Sequence, residues 1–173
     1  MATQPEMTTQ LISSDRPAFD LHPDDRAEIE HDMTHYADPR AASIDALKVV
    51  QKRHGWVPDG AIYAIGDVLG IPPTDVEGVA TFYNMIFRQP VGRHVIAVCD
   101  SISCFLTGYE DVIAALKQKL GIELGQTTAD NRFTLLPICC LGACDKGPVL
   151  MIDRDTHGNV AAGEVDKLLE QYA

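Results

Sequence analysis

Two strand-like runs separated by one amphipathic segment constrain the fold of this chain more than any other feature of its sequence. The runs are residues 93–99, RHVIAVC, and residues 132–139, RFTLLPIC, and both are apolar and rich in β-branched or aromatic residues. Between them, residues 107–121 place apolar side chains at helical spacing and begin with Thr107 and Glu110 in the pattern of a capping box. This order predicts a βαβ unit with two parallel strands and a right-handed crossover.

Each predicted strand leads into a pair of cysteines. Cys99 and Cys104 follow the first strand with four residues between them, and Cys140 and Cys144 follow the second with three. The carboxyl ends of neighbouring parallel strands lie at the same edge of a sheet, which is where open α/β sheets bind their ligands. We therefore expect four thiols to converge at one edge.

Four converging thiols favour a metal-containing site. Partly buried thiolates repel one another unless a cation lies between them. An odd total of five cysteines and the lack of a secretory signal disfavour a disulfide framework. The spacings fit structural zinc and a 2Fe-2S cluster about equally. The small, backbone-rich loops CDSISC and CLGAC favour the cluster, and disulfide-bonded or inert cysteines are the third interpretation.

The rest of the chain falls into segments of different character. Residues 1–20 are polar and lack periodicity, which indicates a flexible tail. The sequence of residues 21–90 predicts a small bundle of four helices, which begin at Pro23, Asp38, Asp59 and Thr74. Thr74 and Glu77 have the pattern of a capping box. Gly55 and Gly70 are expected to end the second and third helices.

Residues 91–173 extend the βαβ unit. A third strand is expected in PVLMID, a turn in RDTHGN, a short strand near Val160 and a final helix in GEVDKLLEQYA. The predicted fold class is α+β, with the N-terminal helical bundle followed by a small α/β domain.

Charge and motif content exclude several function classes. The 14 Lys and Arg residues against 25 Asp and Glu residues leave a net charge of −11, which repels nucleic acids and anionic lipid surfaces. No run reaches the roughly 18–20 apolar residues of a membrane span. The sequence contains neither G-x-G-x-x-G nor a P-loop for nucleotide phosphates, and no Cys-x-x-Cys for thiol-disulfide exchange.

From about residue 22 onward the chain resembles a known family. The segments CDSISC and CCLGACDKGPVLMI, together with DPRAASIDALKVVQKRHGWVPDGAIYAIGDVLGIP and DVEGVATFYNMIF, resemble the E-type, thioredoxin-like 2Fe-2S subunit in the peripheral arm of NADH:quinone oxidoreductase, respiratory complex I. The resemblance implies a thioredoxin-like ferredoxin domain behind the bundle. It also implies that Cys99, Cys104, Cys140 and Cys144 bind one 2Fe-2S cluster, with one iron on each pair.

The same resemblance implies an electron-transfer role that depends on other subunits. FMN and NADH are expected on a larger partner subunit, with a neighbouring iron-sulfur subunit of the peripheral arm nearby, and this chain is not expected to be catalytic alone. The complex would lie on the cytoplasmic side of the inner membrane, or the matrix side in mitochondria, without this chain entering the bilayer. Alternatives are the equivalent diaphorase subunit of an NAD-linked hydrogenase or formate dehydrogenase and, in a different class, a zinc-stapled interaction module.

Several side chains near the cysteines carry expectations of their own. Asp100 and Asp145 each follow a predicted ligand, and their negative charges should lower a cluster's reduction potential, weakly opposed by Lys146. Alternation along an extended chain points Cys139 away from Cys140 and predicts that it is a small buried apolar residue or, at most, a neighbour of the ligands. Ser101 and Ser103 could donate to cluster sulfurs, although loop serines more often stabilise the turn itself.

Three features of the bundle have an ordinary structural explanation beside a functional one. His31 and His35, four residues apart, are far more typical of a solvated helix face than of a metal site. The run TFYNMIF at 81–87 is expected to pack between the two modules, with a docking surface for the flavin subunit as the alternative. Trp56 is expected in the core.

Overall fold

The computed structural model describes residues 16–172. The chain divides between Pro90 and Val91 into two compact units. In the part of the chain that the structure describes, the regular elements of the first unit are all helices, and the second unit contains one mixed sheet with helices.

From residue 16 to Pro90, the first unit forms four α-helices. They are α1 (Pro23–Met33), α2 (Ser43–His54), α3 (Asp59–Leu69) and α4 (Pro73–Phe82), and a 3-10 turn, Pro39–Ala42, precedes α2. Gly55 and Gly70 end α2 and α3 as predicted, with φ of 80° and 68°. These left-handed conformations suit glycine because it has no Cβ.

The predicted caps of α3 and α4 are each displaced. Pro58, not Asp59, is the N-cap of α3, and Pro72 is the N-cap of α4, whose first residue is Pro73. Thr74 therefore lies inside the first turn and makes no capping hydrogen bond. Proline at the first helical position has a suitable φ and no N–H to satisfy, so α4 starts two residues earlier than a capping box with Thr74 as its N-cap would place it.

An ion pair joins α1 to α2 beside the apolar core of the bundle. Ile29, Leu47 and Ile65 are fully buried there. The buried carboxylate of Asp25 accepts a hydrogen bond of 2.7 Å from Arg53 Nε. That hydrogen bond and the charge of Arg53 lower the pKa of Asp25 against the opposing effect of burial.

Contacts with α3 begin at Arg16, within residues 1–20 that were predicted to be a flexible tail. Arg16 Nη2 lies 2.8 Å from both carboxylate oxygens of Asp67, and Phe19 packs against the core of the bundle. A Cβ on Gly60 would lie 2.5 Å from the Cβ of Phe19, so this close approach requires glycine. The rest of the predicted tail, residues 1–15, lies outside the described residues.

The second unit is a four-stranded sheet of order β2-β1-β3-β4. The strands are β1 (His94–Cys99), β2 (Phe133–Ile138), β3 (Leu150–Ile152) and β4 (Asp155–His157). The pairing of β1 with β2 is parallel, from His94↔Phe133 to Cys99↔Ile138, which confirms the predicted βαβ unit. The other two pairings are antiparallel.

Three α-helices accompany the sheet. They are α5 (Ile102–Leu106), α6 (Tyr109–Leu120) and α7 (Val165–Leu169), and α7 lies between 3-10 turns at Ala162–Glu164 and Glu170–Tyr172. Leu116 of α6 and Leu168 of α7 share a buried cluster with Ile96, Leu135 and Leu150 of the sheet. None of the helices in residues 16–172 is long and apolar enough to cross a bilayer.

Two local predictions for this unit are wrong. The fourth strand occupies Asp155–His157, within the predicted turn, and Val160 is in no strand, because Asp153 adopts a positive φ of 54° and turns the chain early. Thr107 does not cap α6, whose N-cap is Gly108. Its hydroxyl instead donates to the carbonyl oxygens of Ser103 and Cys104, because the unpredicted helix α5 ends there.

Candidate metal centre

The four predicted ligands follow the carboxyl ends of the two parallel strands. Cys99 is the last residue of β1 and lies in register with Ile138, the last residue of β2. Cys104 lies in α5, Cys140 lies two residues beyond β2, and Cys144 begins a 3-10 turn that ends at Lys146. The parallel pairing therefore brings both cysteine-bearing loops to one edge of the sheet.

The first pair is buried. Cys99 is 2% exposed and Cys104 is 1% exposed, and both share a small apolar cluster with Val149. Their thiols interact directly through a side-chain hydrogen bond. This pair is therefore enclosed within the protein.

The second pair is exposed. The sulfurs of Cys140 and Cys144 lie 3.8 Å apart. Two sulfurs at about 2.3 Å from one tetrahedral metal ion would be separated by about 3.8 Å, so this spacing suits two ligands of one metal. The N–H of Gly142 donates to Cys140 Sγ at 3.3 Å, and Gly142 adopts a positive φ of 78° to do so.

The two loops contact each other as well as their own cysteines. The thiol of Cys99 lies 3.9 Å from the carbonyl oxygen of Cys139, and the N–H of Leu141 donates to the Cys99 sulfur. In the other direction, the hydroxyl of Ser103 hydrogen-bonds to Cys144. The sulfurs thus form two pairs in adjoining loops. Within residues 16–172, no three His, Cys, Asp or Glu side chains form a group arranged to hold a single metal ion.

The thiol pKa values differ within the site. Burial is the largest single influence on Cys99 and raises its pKa, but hydrogen bonds from the N–H groups of Ser101 and Leu141 and from Cys104 outweigh it, and the net pKa is lowered. Burial raises the pKa of Cys104, and the thiol of Cys99 adds to that rise. For exposed Cys144, the hydrogen bond with Cys140 raises the pKa most.

The small, backbone-rich loops predict backbone N–H donors to the sulfurs, but the sequence analysis did not identify which residues supply them. Ser101 and Leu141 donate to Cys99, Val149 donates to Cys104, and Gly142 donates to Cys140. Of the two serines considered, Ser103 uses its hydroxyl and Ser101 its backbone. Every residue except proline has a backbone N–H, so residue type does not reveal which N–H groups donate to sulfur. Only the small residue at position 142 indicated such a donor.

Cys139 is exposed, so the prediction that it is buried is wrong. Strand β2 ends at Ile138, and the chain bends at Cys139 instead of continuing as an extended strand. The alternation used to place its side chain therefore does not apply.

The other candidate residues lie in the first unit. The side chain of His31 is largely exposed and its ring contacts that of His35 at 4.9 Å between centroids, as expected for a solvated helix face. In the run 81–87, Phe82, Tyr83 and Met85 are exposed, while Ile86 is buried. Trp56 is only partly buried, contrary to the expectation that it belongs to the core.

The donor set fits a 2Fe-2S cluster. Its four side chains are all thiols, with no imidazole or carboxylate among them, and cysteine thiolates are the ligands that hold iron-sulfur clusters. Hydrogen bonds from N–H groups to the sulfurs tune the reduction potential of such clusters. Each of the two iron ions in such a cluster takes two protein ligands, and the two pairs of sulfurs can provide them.

Comparison with known proteins identifies the family. The model of the thioredoxin-like 2Fe-2S ferredoxins matches residues 29–173. The E subunit of NADH-quinone oxidoreductase from Pseudomonas aeruginosa is 66% identical over 164 residues, which cover 95% of this chain and 98% of that one. The E subunit from Escherichia coli is 65% identical over 155 residues, or 90% of this chain and 93% of that one.

Among solved structures, an NAD+-reducing NiFe-hydrogenase in the air-oxidised state is similar in fold. It aligns with a TM-score of 0.61 and 24% identity over 73% of this chain. The chain spans only about a fifth of that hydrogenase chain, 22% of its length. The family match also confirms the predicted α+β fold with a thioredoxin-like domain. The chain belongs to the thioredoxin-like 2Fe-2S ferredoxin family.

Proposed function

We propose that this protein is the E-type electron-transfer subunit of an NADH-quinone oxidoreductase, and that Cys99, Cys104, Cys140 and Cys144 hold its single 2Fe-2S cluster. The observation that carries the proposal is the convergence of two cysteine pairs at the ends of β1 and β2. The E subunits of other NADH-quinone oxidoreductases match this chain over nearly its whole length and nearly all of theirs.

The bound cluster would supply reversible one-electron transfer. The chain's own residues would set the conditions for it. Buried Cys99 and Cys104 would hold one iron away from water, while exposed Cys140 and Cys144 would hold the other at the surface. The N–H groups of Ser101, Leu141, Val149 and Gly142 would stabilise negative charge on the sulfurs.

The partners follow from this assignment. The oxidation of NADH and the binding of FMN would belong to a larger subunit of the complex, with a second iron-sulfur subunit next to it, because neither nucleotide-binding motif sought in this sequence is present. We place the assembly on the cytoplasmic face of the inner membrane, or on the matrix face in mitochondria. The equivalent role in an NAD-linked hydrogenase is the second candidate, favoured only by the shared fold.

The cluster assignment is tested by metal content and by paired cysteine variants. The purified full chain should be red-brown, contain equal amounts of iron and acid-labile sulfide, and give a paramagnetic signal on reduction. Cys140→Ala should lose or badly disturb these signals, because it removes one of four ligands. The adjacent Cys139→Ala is the matched control and should keep them.

Two results would overturn the assignment. A colourless protein that contains zinc would support an interaction module without redox function. A chain whose signals survive Cys140→Ala but not Cys139→Ala would show that the ligand set is wrong.

Co-purification with quinone-reducing or with hydrogenase subunits from the native cell would separate the two candidate complexes.

A further inference from the structure

The helix that carries Cys104 exposes an apolar face on its other side. Ile102, Phe105 and Leu106 of α5 are 67%, 48% and 75% exposed. These three residues are spaced i, i+3 and i+4, so they share one face of the helix, while Cys104 lies on the buried side. We call them the α5 face. Phe105 also contacts the ring of Tyr109 at 6.0 Å between centroids, which helps to orient it.

The α5 face is exceptional within its unit. Among residues 91–172, no other large apolar side chain is exposed. Scattered single apolar residues are normal on protein surfaces, but a contiguous group next to a functional site is typical of an interaction surface. This group lies in the same loop as a proposed ligand of the cluster.

Carboxylates without cation partners surround the same loops. Asp100 precedes α5, Glu110 and Asp111 lie in the first turn of α6, and Asp145 follows Cys144. All four are exposed, and every ion pair within residues 91–172 uses other carboxylates. The segments next to α5 and the cysteine loops thus carry four exposed carboxylates against one exposed cation, Lys146, and we call this the acidic surround of the α5 face.

This arrangement selects one kind of occupant. An apolar centre is stabilised by burial against another apolar surface, and unpaired carboxylates favour a surround of the opposite charge. A second copy of this chain would bring two acidic surrounds together, and an anionic membrane would repel them. The complementary surface is therefore that of a protein with an apolar patch and basic residues around it.

We propose that the α5 face is the docking surface for the flavin-containing partner subunit, whose matching surface is apolar at its centre and basic around it. The proposal rests on the proposed function, because that function requires an electron-exchanging partner. It adds which residues of this chain bind the partner and by what chemistry. The exposed residues Phe82, Tyr83 and Met85 of the first unit are the competing surface.

The test compares the effects of Leu106→Ser and Phe82→Ser on partner binding, because the two side chains are similarly exposed. Leu106 is 75% exposed and Phe82 is 77% exposed, so each variant removes a similarly accessible apolar side chain. Binding of the purified, cluster-loaded full chain to the flavin-containing subunit is measured by titration. Leu106→Ser should weaken binding at least about tenfold, and Phe82→Ser by less than about twofold. Binding of the wild type should also weaken as salt is raised, and Asp100→Asn should reduce that salt dependence.

The visible and paramagnetic signals of the cluster separate docking from folding. Leu106→Ser should retain both signals, because its side chain points away from the cysteines. Unchanged binding by Leu106→Ser would overturn the inference, as would loss of binding by Phe82→Ser instead. Self-association of the wild type that Leu106→Ser abolishes would overturn it too, by assigning the surface to a second copy. A wild-type chain without a cluster would overturn the proposed function itself, a different result from any of these.

Discussion

Replacing Gly142 by alanine tests whether the loop around Cys140 depends on a left-handed backbone. Gly142 has a φ of 78°, and its N–H donates to Cys140 Sγ at 3.3 Å. A Cβ at this position would meet no atom within 4 Å, so the substitution introduces no clash. The only cost is the left-handed conformation, about 1–2 kcal/mol for a residue with a Cβ.

That cost predicts a measurable loss of cluster retention. A penalty of about 1–2 kcal/mol lowers the population of the observed loop conformation about 5- to 30-fold. Release of the cluster from Gly142→Ala to a chelator, followed by visible absorption, should accelerate by a similar factor. Gly142→Asn should have a smaller effect, because asparagine adopts the left-handed region more readily than alanine.

Gly78→Ala is the matched control for this experiment. Gly78 lies in the interior of α4, its added Cβ would also meet no atom within 4 Å, and its φ is not in the left-handed region. This change should stabilise the protein by about 1 kcal/mol and leave the cluster signals unchanged. If Gly142→Ala retained its cluster as long as the wild type and matched its stability, the argument from backbone conformation would be refuted.

The remaining predictions concern charge and hydrogen bonding. Asp145→Asn should raise the reduction potential by about 10–40 mV and Lys146→Gln should lower it, as measured by redox titration; no change in either would remove the electrostatic argument. The pKa of Tyr172 is raised to about 12, by burial first and then by its hydrogen bond to Asp155. Because the unfolded state ionises near pH 10, stability should fall between about pH 10 and pH 12, and Tyr172→Phe should weaken that fall in urea titrations at several pH values. Asp25→Asn should destabilise the protein by about 1–3 kcal/mol at neutral pH. Because the pKa of Asp25 is lowered, its contribution is present above about pH 4 and lost as pH falls through the folded value, so the variant's deficit should shrink in acid.

The failures of sequence-based prediction have specific physical causes. Capping patterns at Thr74 and Thr107 were misleading because a proline start and an unpredicted helix occupied those turns. Cys139 was predicted to be buried because alternation was extended one residue past the end of β2. In each case a local rule was applied where the chain had already changed conformation.

Sequence alone determined three elements of the second unit, β1, α6 and β2, and the grouping of the site. Apolar runs and helical spacing are local properties, so they predicted β1, β2 and α6, and the rule for βαβ units predicted that Cys99 and Cys140 lie at one edge. The spacing of the cysteines alone did not distinguish a zinc site from an iron-sulfur cluster. The family resemblance selected the 2Fe-2S cluster, because it covers motifs along most of the chain rather than the cysteines alone.

Only the tertiary structure decided how the site is finished. Which N–H groups reach the sulfurs of Cys99 and Cys104 depends on Leu141 and Val149, residues brought close by strand pairing and not by sequence distance. The same holds for burial: Cys99 and Cys104 are enclosed in a cluster with the sequence-distant Val149, whereas Cys140 and Cys144 are open. Burial and backbone hydrogen bonding are properties of surroundings assembled from distant segments, and no local pattern encodes them.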